Sequence, residues 1–528
     1  MKQLLTIIVL LSWSLVATAG GVDTAAKKIT LSLPTEPPNL DSSHTEDTTS
    51  GFVLSFTNEG LIRIGPHGEI IPAVADHWEM GDKEVTFHLR PDARWDDGKP
   101  IRAQDFVYSW RRLVNPKTGA RGSTFFAYVI KNADDILAGR KPPESLGVEA
   151  IDDHTLRVTL SRPVPYILTV LTGTAYFPLR QDFVEAQHGR YGADAKNLMS
   201  DGAFKLVSWI HNGSIVLKKN PQYWDKKDIK LNEVDIGYIT SDTRSLFNLY
   251  KSNELATLTL DENILADAQK QGARIHRAPT NCLAWLDFNM RPGRITSNLK
   301  VRQAIRYAFD RDSYVNDVVS LPGTRKIESV FTRHINGISG TFQDDFPATP
   351  IPYDPAKGRQ LMAEALKELG LSKLPPIVLL ANETREQEAE FVQSQLMGAL
   401  GIDVRVDKQS FKQAIAKMNG GDFDIARQGF CGGALTDPVF FAGIFDSTSP
   451  FDNGGYSSPE YDRLMAVTNS TGDEATRMHA FAKMQTLLFK DIPIIPIYEN
   501  SVVYVQDKRV RGLVRFPITN FSRGYIAP

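Results

Sequence analysis

The residues able to do chemistry are few and scattered. Ten histidines are present, and no two lie within five positions of one another, so no local pair suggests a metal site or a proton relay. The sequence contains no H-E-x-x-H, no C-x-x-C and no G-x-x-x-x-G-K-[ST]. Gly337-Ile338-Ser339-Gly340-Thr341 comes nearest to a nucleophile elbow, but it lacks the last glycine and does not sit between a strand and a helix. Acids are plentiful, and one sequence does not show which two converge. A secreted hydrolase with paired carboxylates therefore stays open as a reading of a different class. No cofactor and no metal is implied.

One segment concentrates unusual residue types: Asp422 to Asp437, DFDIARQGFCGGALTD. It reads as a short strand carrying Arg427, Gly429, Phe430 and Cys431. Taken alone, Arg427 reads as a member of a buried ion pair. Phe411, in Gln409-Ser410-Phe411-Lys412, reads on its own as a core aromatic.

A chain of 528 residues is too long for one core and predicts two to four domains. Its 60 basic and 62 acidic residues nearly cancel, which disfavours a nucleic-acid partner. At the start, Lys2 precedes the apolar run Leu4 to Val16, and Ala17-Thr18-Ala19 offers a cleavage site. Residues 1–19 are expected to be a removed secretory signal. Gly20 would follow the cut, not the cysteine a lipoprotein needs, so a diffusing periplasmic protein is expected. No later apolar run is long enough to span a bilayer. Cys282 and Cys431 are the only cysteines, and an oxidising compartment favours one disulfide over two free thiols. Closing so long a loop contributes roughly 4–5 kcal/mol in the chain-entropy model.

Strand and helix signals alternate throughout, with no internal repeat, so the fold is an α/β mixture. Ile29 to Leu33 predicts a strand, and Leu146 to Leu160 a strand pair turning at Asp152-Asp153. Lys205 to Trp209 and Ser214 to Leu217 form a hairpin around Asn212-Gly213. Val301, Ala304, Ile305, Ala308 and Phe309 share one helical face. Asp354-Pro355 starts a helix that Gly370 stops. Ile377 to Leu380 and Val404 to Val406 are strands flanking a helix, and a last long helix covers Glu474 to Phe489.

Between Thr86 and Trp110 the spacing gives a strand (Val85, Phe87, Leu89), a turn at Asp96-Asp97-Gly98, and a helix with Phe106, Val107 and Trp110 on one face. Leu89, Arg90, Trp95, Asp97, Gly98, Pro100, Ala103 and Asp105 resemble, nearly residue for residue, the signature of the bacterial extracellular solute-binding proteins of family 5, which deliver peptides and similar solutes to ABC importers. Gly202-Ala203-Phe204 with Asn220-Pro221-Gln222-Tyr223-Trp224, the Val301 to Asp312 helix and Pro493 to Tyr498 resemble further family segments. The resemblance covers essentially the whole chain after residue 19.

What the resemblance implies is an α/β, two-lobe periplasmic binding protein (type II-like) of three domains, with an extra domain inserted in the first lobe. The expected boundaries are 28–58 for the first part of domain I, 59–182 for the inserted domain, 183–281 for the rest of domain I, 282–499 for the second lobe, and 500–528 for the return. The implied partners are a peptide or peptide-like ligand and an inner-membrane ABC permease, the protein itself being a monomer. In similar proteins the strand before the second cysteine pairs with the bound peptide. Gly429, Phe430 and Cys431 would then supply main-chain contacts and Arg427 a charge. Glu46, Asp47 and Thr48 would form the opposing wall, with Phe411 lining the cleft, and Cys282 and Cys431 match a pair that is disulfide-bonded in relatives.

One departure matters. Members that take a free amine carry an aspartate two residues after this cysteine; here that position is Gly433. Removing one partner of a buried charge pair costs about 3–5 kcal/mol. Either Asp437 or Glu46 replaces the anchor, or the ligand has no free α-amine there. The second option points to a modified or murein peptide, or to another solute such as a sugar, a metal chelate or an antimicrobial peptide; a secreted hydrolase or a chaperone-like holdase is the remote alternative.

Overall fold

The structure is a computed structural model that describes residues 20–45, 47–126, 129–164 and 166–528. The expected signal, residues 1–19, and Glu46 lie outside the described residues. Among the described residues no helix is long and apolar enough to cross a membrane.

Three sheets organise the chain. A five-stranded sheet sets Lys28–Leu33 parallel to Glu233–Ile239 and adds the Phe204–Ile210 and Ser214–Lys219 hairpin, with Asn212 at φ 56° in its turn. A four-stranded antiparallel sheet joins Ala75–Met80, Glu84–Leu89, Thr155–Thr159 and Val148–Asp152. The largest orders Thr257–Leu260, Ile494–Gln506, His276–Phe288, Ile425–Cys431, Ile377–Asn382 and Val404–Gln409. The expected hairpins and helices form; helix Pro355–Leu369 is capped by Asp354 and stopped by Gly370 at φ 67°.

The signature segment is a packing device. Trp95 and Trp110 are fully buried. Trp95 Nε1 donates to Asp105 (3.1 Å), and the same carboxylate accepts the Arg102 main-chain N–H at the start of helix Ala103–Val114 (3.0 Å). Gly98 turns the chain at φ 88°, a conformation that favours glycine. One carboxylate thus ties the turn to the helix it precedes.

Two continuous 13-residue strands, His276–Phe288 and Ile494–Gln506, run from one hydrophobic core into the next. Val503 and Val505 pack at one end with Leu246, Leu258 and Ile264. Ile495 and Ile497 pack at the other with Leu286, Ile305 and Leu379. The ladder between these strands slips between Pro279 and Leu283, midway between the two cores. Two strands with an interrupted register can bend there without breaking either core.

Candidate functional site: an open strand edge

Strand Ile425–Cys431 pairs with His276–Phe288 along its whole length, from Phe288 opposite Ile425 to Cys282 opposite Cys431. On its other side it pairs with Ile377–Asn382 only at Ile425 and Ala426. Beyond Ala426 that side has no described strand partner. Which main-chain groups face the gap follows from one bond: Gly432 N–H donates to Asn281 O (2.7 Å). Antiparallel strands alternate inward and outward pairs, so Phe430 and Gln428 face the paired strand, while Gly429 and Cys431 direct N–H and C=O outward. Both outward residues are exposed.

Gly429 is required by its neighbour: a Cβ there would sit 2.6 Å from Leu283 O. Cys431 is disulfide-bonded to Cys282, fixing the end of the strand. The turn beyond it is held by Asn281, whose Nδ2 donates to the carbonyls of Gly433 (3.2 Å) and Leu435 (2.8 Å), and whose Oδ1 accepts from Thr332 Oγ1 (2.5 Å). Gly433 sits at φ 55° beside Ile518. Asparagine one residue before the first cysteine was the signal that sequence reasoning missed.

Several expected site residues have other duties. Phe430 contributes no outward main-chain group, a correction that follows from the alternation; its ring packs edge-on against Phe441 at 5.3 Å. Arg427 is the buried ion pair of its two readings. Its Nε donates to Glu388 (2.7 Å) and Tyr314 Oη (3.1 Å), Nη2 to Tyr498 Oη (2.6 Å), and Nη1 to Gln428 O (2.6 Å). Burial pushes the Glu388 carboxyl up, but Arg427 and Arg385 beside it win and hold it at about 2.

Asp437 is also committed. Arg477, almost wholly buried, grips it with Nη1 (2.9 Å) and Nη2 (2.7 Å), and its Oδ1 accepts Val439 N–H (3.0 Å). A carboxylate neutralised in this way is not available to a ligand ammonium. Asp47 caps helix Thr48–Thr57 by accepting Ser50 N–H (2.8 Å), and burial raises its carboxyl above the usual range. Thr48 is exposed at that helix start. Phe411 is half-buried at the start of helix Phe411–Gly420, two residues past strand Val404–Gln409. Asn382 pairs with Gln409 and Leu380 with Ala426, so the carboxyl ends of the parallel strands, and Phe411 with them, lie at the level of the open edge. That is where open α/β sheets receive ligands.

The inserted domain closes against this lobe. Arg121 donates to Pro450 O and to Asn453 Oδ1 (3.1 Å), Arg162 to Asn469 Oδ1 (3.3 Å), and Tyr166 packs on Phe440 at 5.5 Å.

The family description "Bacterial extracellular solute-binding proteins, family 5 Middle" matches residues 69–452. The chain belongs to this family. Among its relatives in family 5 is the periplasmic oligopeptide-binding protein OppA of Salmonella typhimurium, 33% identical over 88% of this chain and 85% of that protein. The fold matches Listeria monocytogenes OppA bound to peptide with a TM-score of 0.89, at 27% identity over 96% of this chain and all of the other. An unliganded open form of MppA, a periplasmic murein tripeptide-binding protein, reaches only 0.61 at the same 27% identity, with 96% and 99% covered. The two-lobe family 5 fold is shared with both; the lobe arrangement agrees with the peptide-bound form.

Proposed function

We propose that this protein is the periplasmic binding component of an ABC importer, enclosing a peptide or peptide-like ligand between its lobes and delivering it to a membrane permease. The observation that carries this reading is the outward main chain of Gly429 and Cys431, an edge on which an extended ligand adds a strand. Main-chain pairing holds a peptide without reading its side chains. The register slip in the two long strands supplies the hinge, and ligand bound to the closed form shifts the population toward it. The closeness to a peptide-bound relative supports the same reading. Its role is binding, not catalysis, and the lobe crossings are read as falling within the strands His276–Phe288 and Ile494–Gln506. Residues 1–19 are read as a cleaved signal, and the mature protein as an unlipidated monomer. The test is native mass spectrometry of protein from a periplasmic extract: released short peptides are expected, and a single non-peptide mass would overturn the ligand class.

A narrower reading concerns the amine. Gly433 offers no carboxylate, and Arg477 already neutralises Asp437. The ligand is therefore a peptide whose N-terminus is modified or is recognised elsewhere, Glu46 being the remaining candidate anchor. Titration with matched free and N-acetylated peptides should give affinities within about threefold, a difference under about 0.7 kcal/mol, or a free-amine preference that Glu46→Gln removes. A strong preference for the free amine that survives Glu46→Gln and Asp437→Asn would refute this.

A further inference from the structure

Two arginines one turn apart on helix Leu299–Ala308, Arg302 and Arg306, reach the end of helix Glu474–Asp491. Both are buried, 3% and 7% exposed. Their surroundings differ. Every nitrogen of Arg302 has a carbonyl partner: Nε and Nη2 donate to Asp491 O (3.2 and 2.8 Å), and Nη1 to Thr296 O (2.8 Å) and Ser297 O (2.7 Å). Arg306 donates through Nη1 to Phe489 O (2.6 Å), while its Nε, out of reach of solvent, has no partner. Phe489 at 4.5 Å and Tyr307 at 5.7 Å lie beside its guanidinium, the Tyr307 hydroxyl also hydrogen-bonding to it, and among the described residues no carboxylate pairs with it.

Arg306 lines a cavity with Val330, Pro347, Ala348, Leu488 and Ile494, opening between exposed Pro347, Thr349 and Thr486. The other polar groups deep in its wall are occupied. Glu328 accepts from Arg311 Nη2 (2.7 Å) and Ile351 N–H (3.0 Å). Gln485 accepts from Gln343 Nε2 (2.9 Å) and Ser329 Oγ, and donates to Phe346 O (3.0 Å). The unfilled capacity is one cation beside an apolar wall. Burial lowers the Arg306 guanidinium, as expected for a charge without a counterion. The space, about 50 Å³ for the centres of water-sized bodies, is small. That is more than the roughly 10–15 Å³ a single water requires, and leaves room only for a small ligand.

We propose that this cavity is a binding site for a small carboxylate anion, whose oxygens meet Arg306 and whose short alkyl end meets Val330, Leu488 and Ile494. The site is remote in sequence from the open strand edge, shares no lining residue with it, and does not depend on the peptide reading. It explains why one nitrogen of the second arginine is left without a partner when every nitrogen of the first has one.

The experiment is a carbon-13 NMR titration of the purified mature protein with labelled acetate and propionate, replacing chloride at constant pH and ionic strength. Saturable line broadening is expected, with propionate at least as tight as acetate. Arg306→Met should weaken it at least tenfold while peptide titrations stay unchanged. Ala348→Phe, which fills the mouth and keeps the arginine, should abolish it too, and remains informative if Arg306→Met does not fold. A cavity holding only water predicts no saturable signal from the wild type, and that result overturns the proposal. So does equal competition by chloride, or a signal that survives either substitution.

Discussion

The Trp95 to Asp105 turn and the Ile425 to Cys431 strand make an instructive pair. The first carries the most recognisable pattern in the chain, and every conspicuous residue in it packs or caps. The second carries a weaker pattern, and the groups that face its open edge are main-chain atoms. Side-chain identity at the turn is fixed by contacts that only tryptophan, aspartate and glycine make. At the strand edge the chemistry belongs to the peptide bond, so sequence registers it indirectly, through the glycine that a close neighbour demands and the cysteine that anchors the end.

The contrast predicts a separation of stability from binding. Trp95→Ala removes a fully buried indole and its bond to Asp105, and should cost about 3–5 kcal/mol of stability. Peptide affinity per folded molecule should hold within about twofold, or under about 0.4 kcal/mol. Urea unfolding beside calorimetric titration checks both halves. A large affinity loss in the folded fraction would place the turn in the ligand's reach.

Most of the architecture was legible because it rests on periodicity and caps: the Leu299–Ala308 face, the Asp354 and Gly370 boundaries and both hairpins form as the sequence predicts. The long strands were less legible. Ile494 to Tyr498 reads as a short apolar run, yet its strand continues through alternating Val503 and Val505 to Gln506, paired on both flanks. The site was legible in location and not in detail. Arg427 and Asp437 look like ligand-facing charges because their partners, Glu388 and Arg477, lie 39 and 40 residues away. Sequence does not display such pairings.

The ion pair beneath the edge gives the next effect. Glu388 ordinarily titrates near 4.5 and is held at about 2 in the fold, with Arg427 beside it. A depressed folded value stabilises above the unfolded one, so this contribution is full above about pH 4.5 and fades as pH falls toward 2. It amounts to something on the order of 3 kcal/mol. Glu388→Gln should therefore lower stability at pH 7 and flatten the acid side of the profile, since Arg427 then lacks its counterion. Thermal melts from pH 2 to 7 measure this. An unchanged acid slope would mean that other carboxylates dominate acid unfolding.

The smallest effect is the most diagnostic for the edge itself. Gly429→Ala places a Cβ against Leu283 O, where only 2.6 Å is available, so the strand must move outward toward the ligand. Peptide affinity should fall about tenfold, near 1.4 kcal/mol. Phe430→Ala, one residue along, deletes a larger side chain but leaves the outward main chain of Gly429 and Cys431 in place, and should cost stability with little change in affinity. The ordering reverses what side-chain size alone predicts. Titrating both variants with one peptide decides the matter: if Phe430→Ala weakens binding more than Gly429→Ala, the ligand is held by the aromatic wall and the strand edge is a bystander.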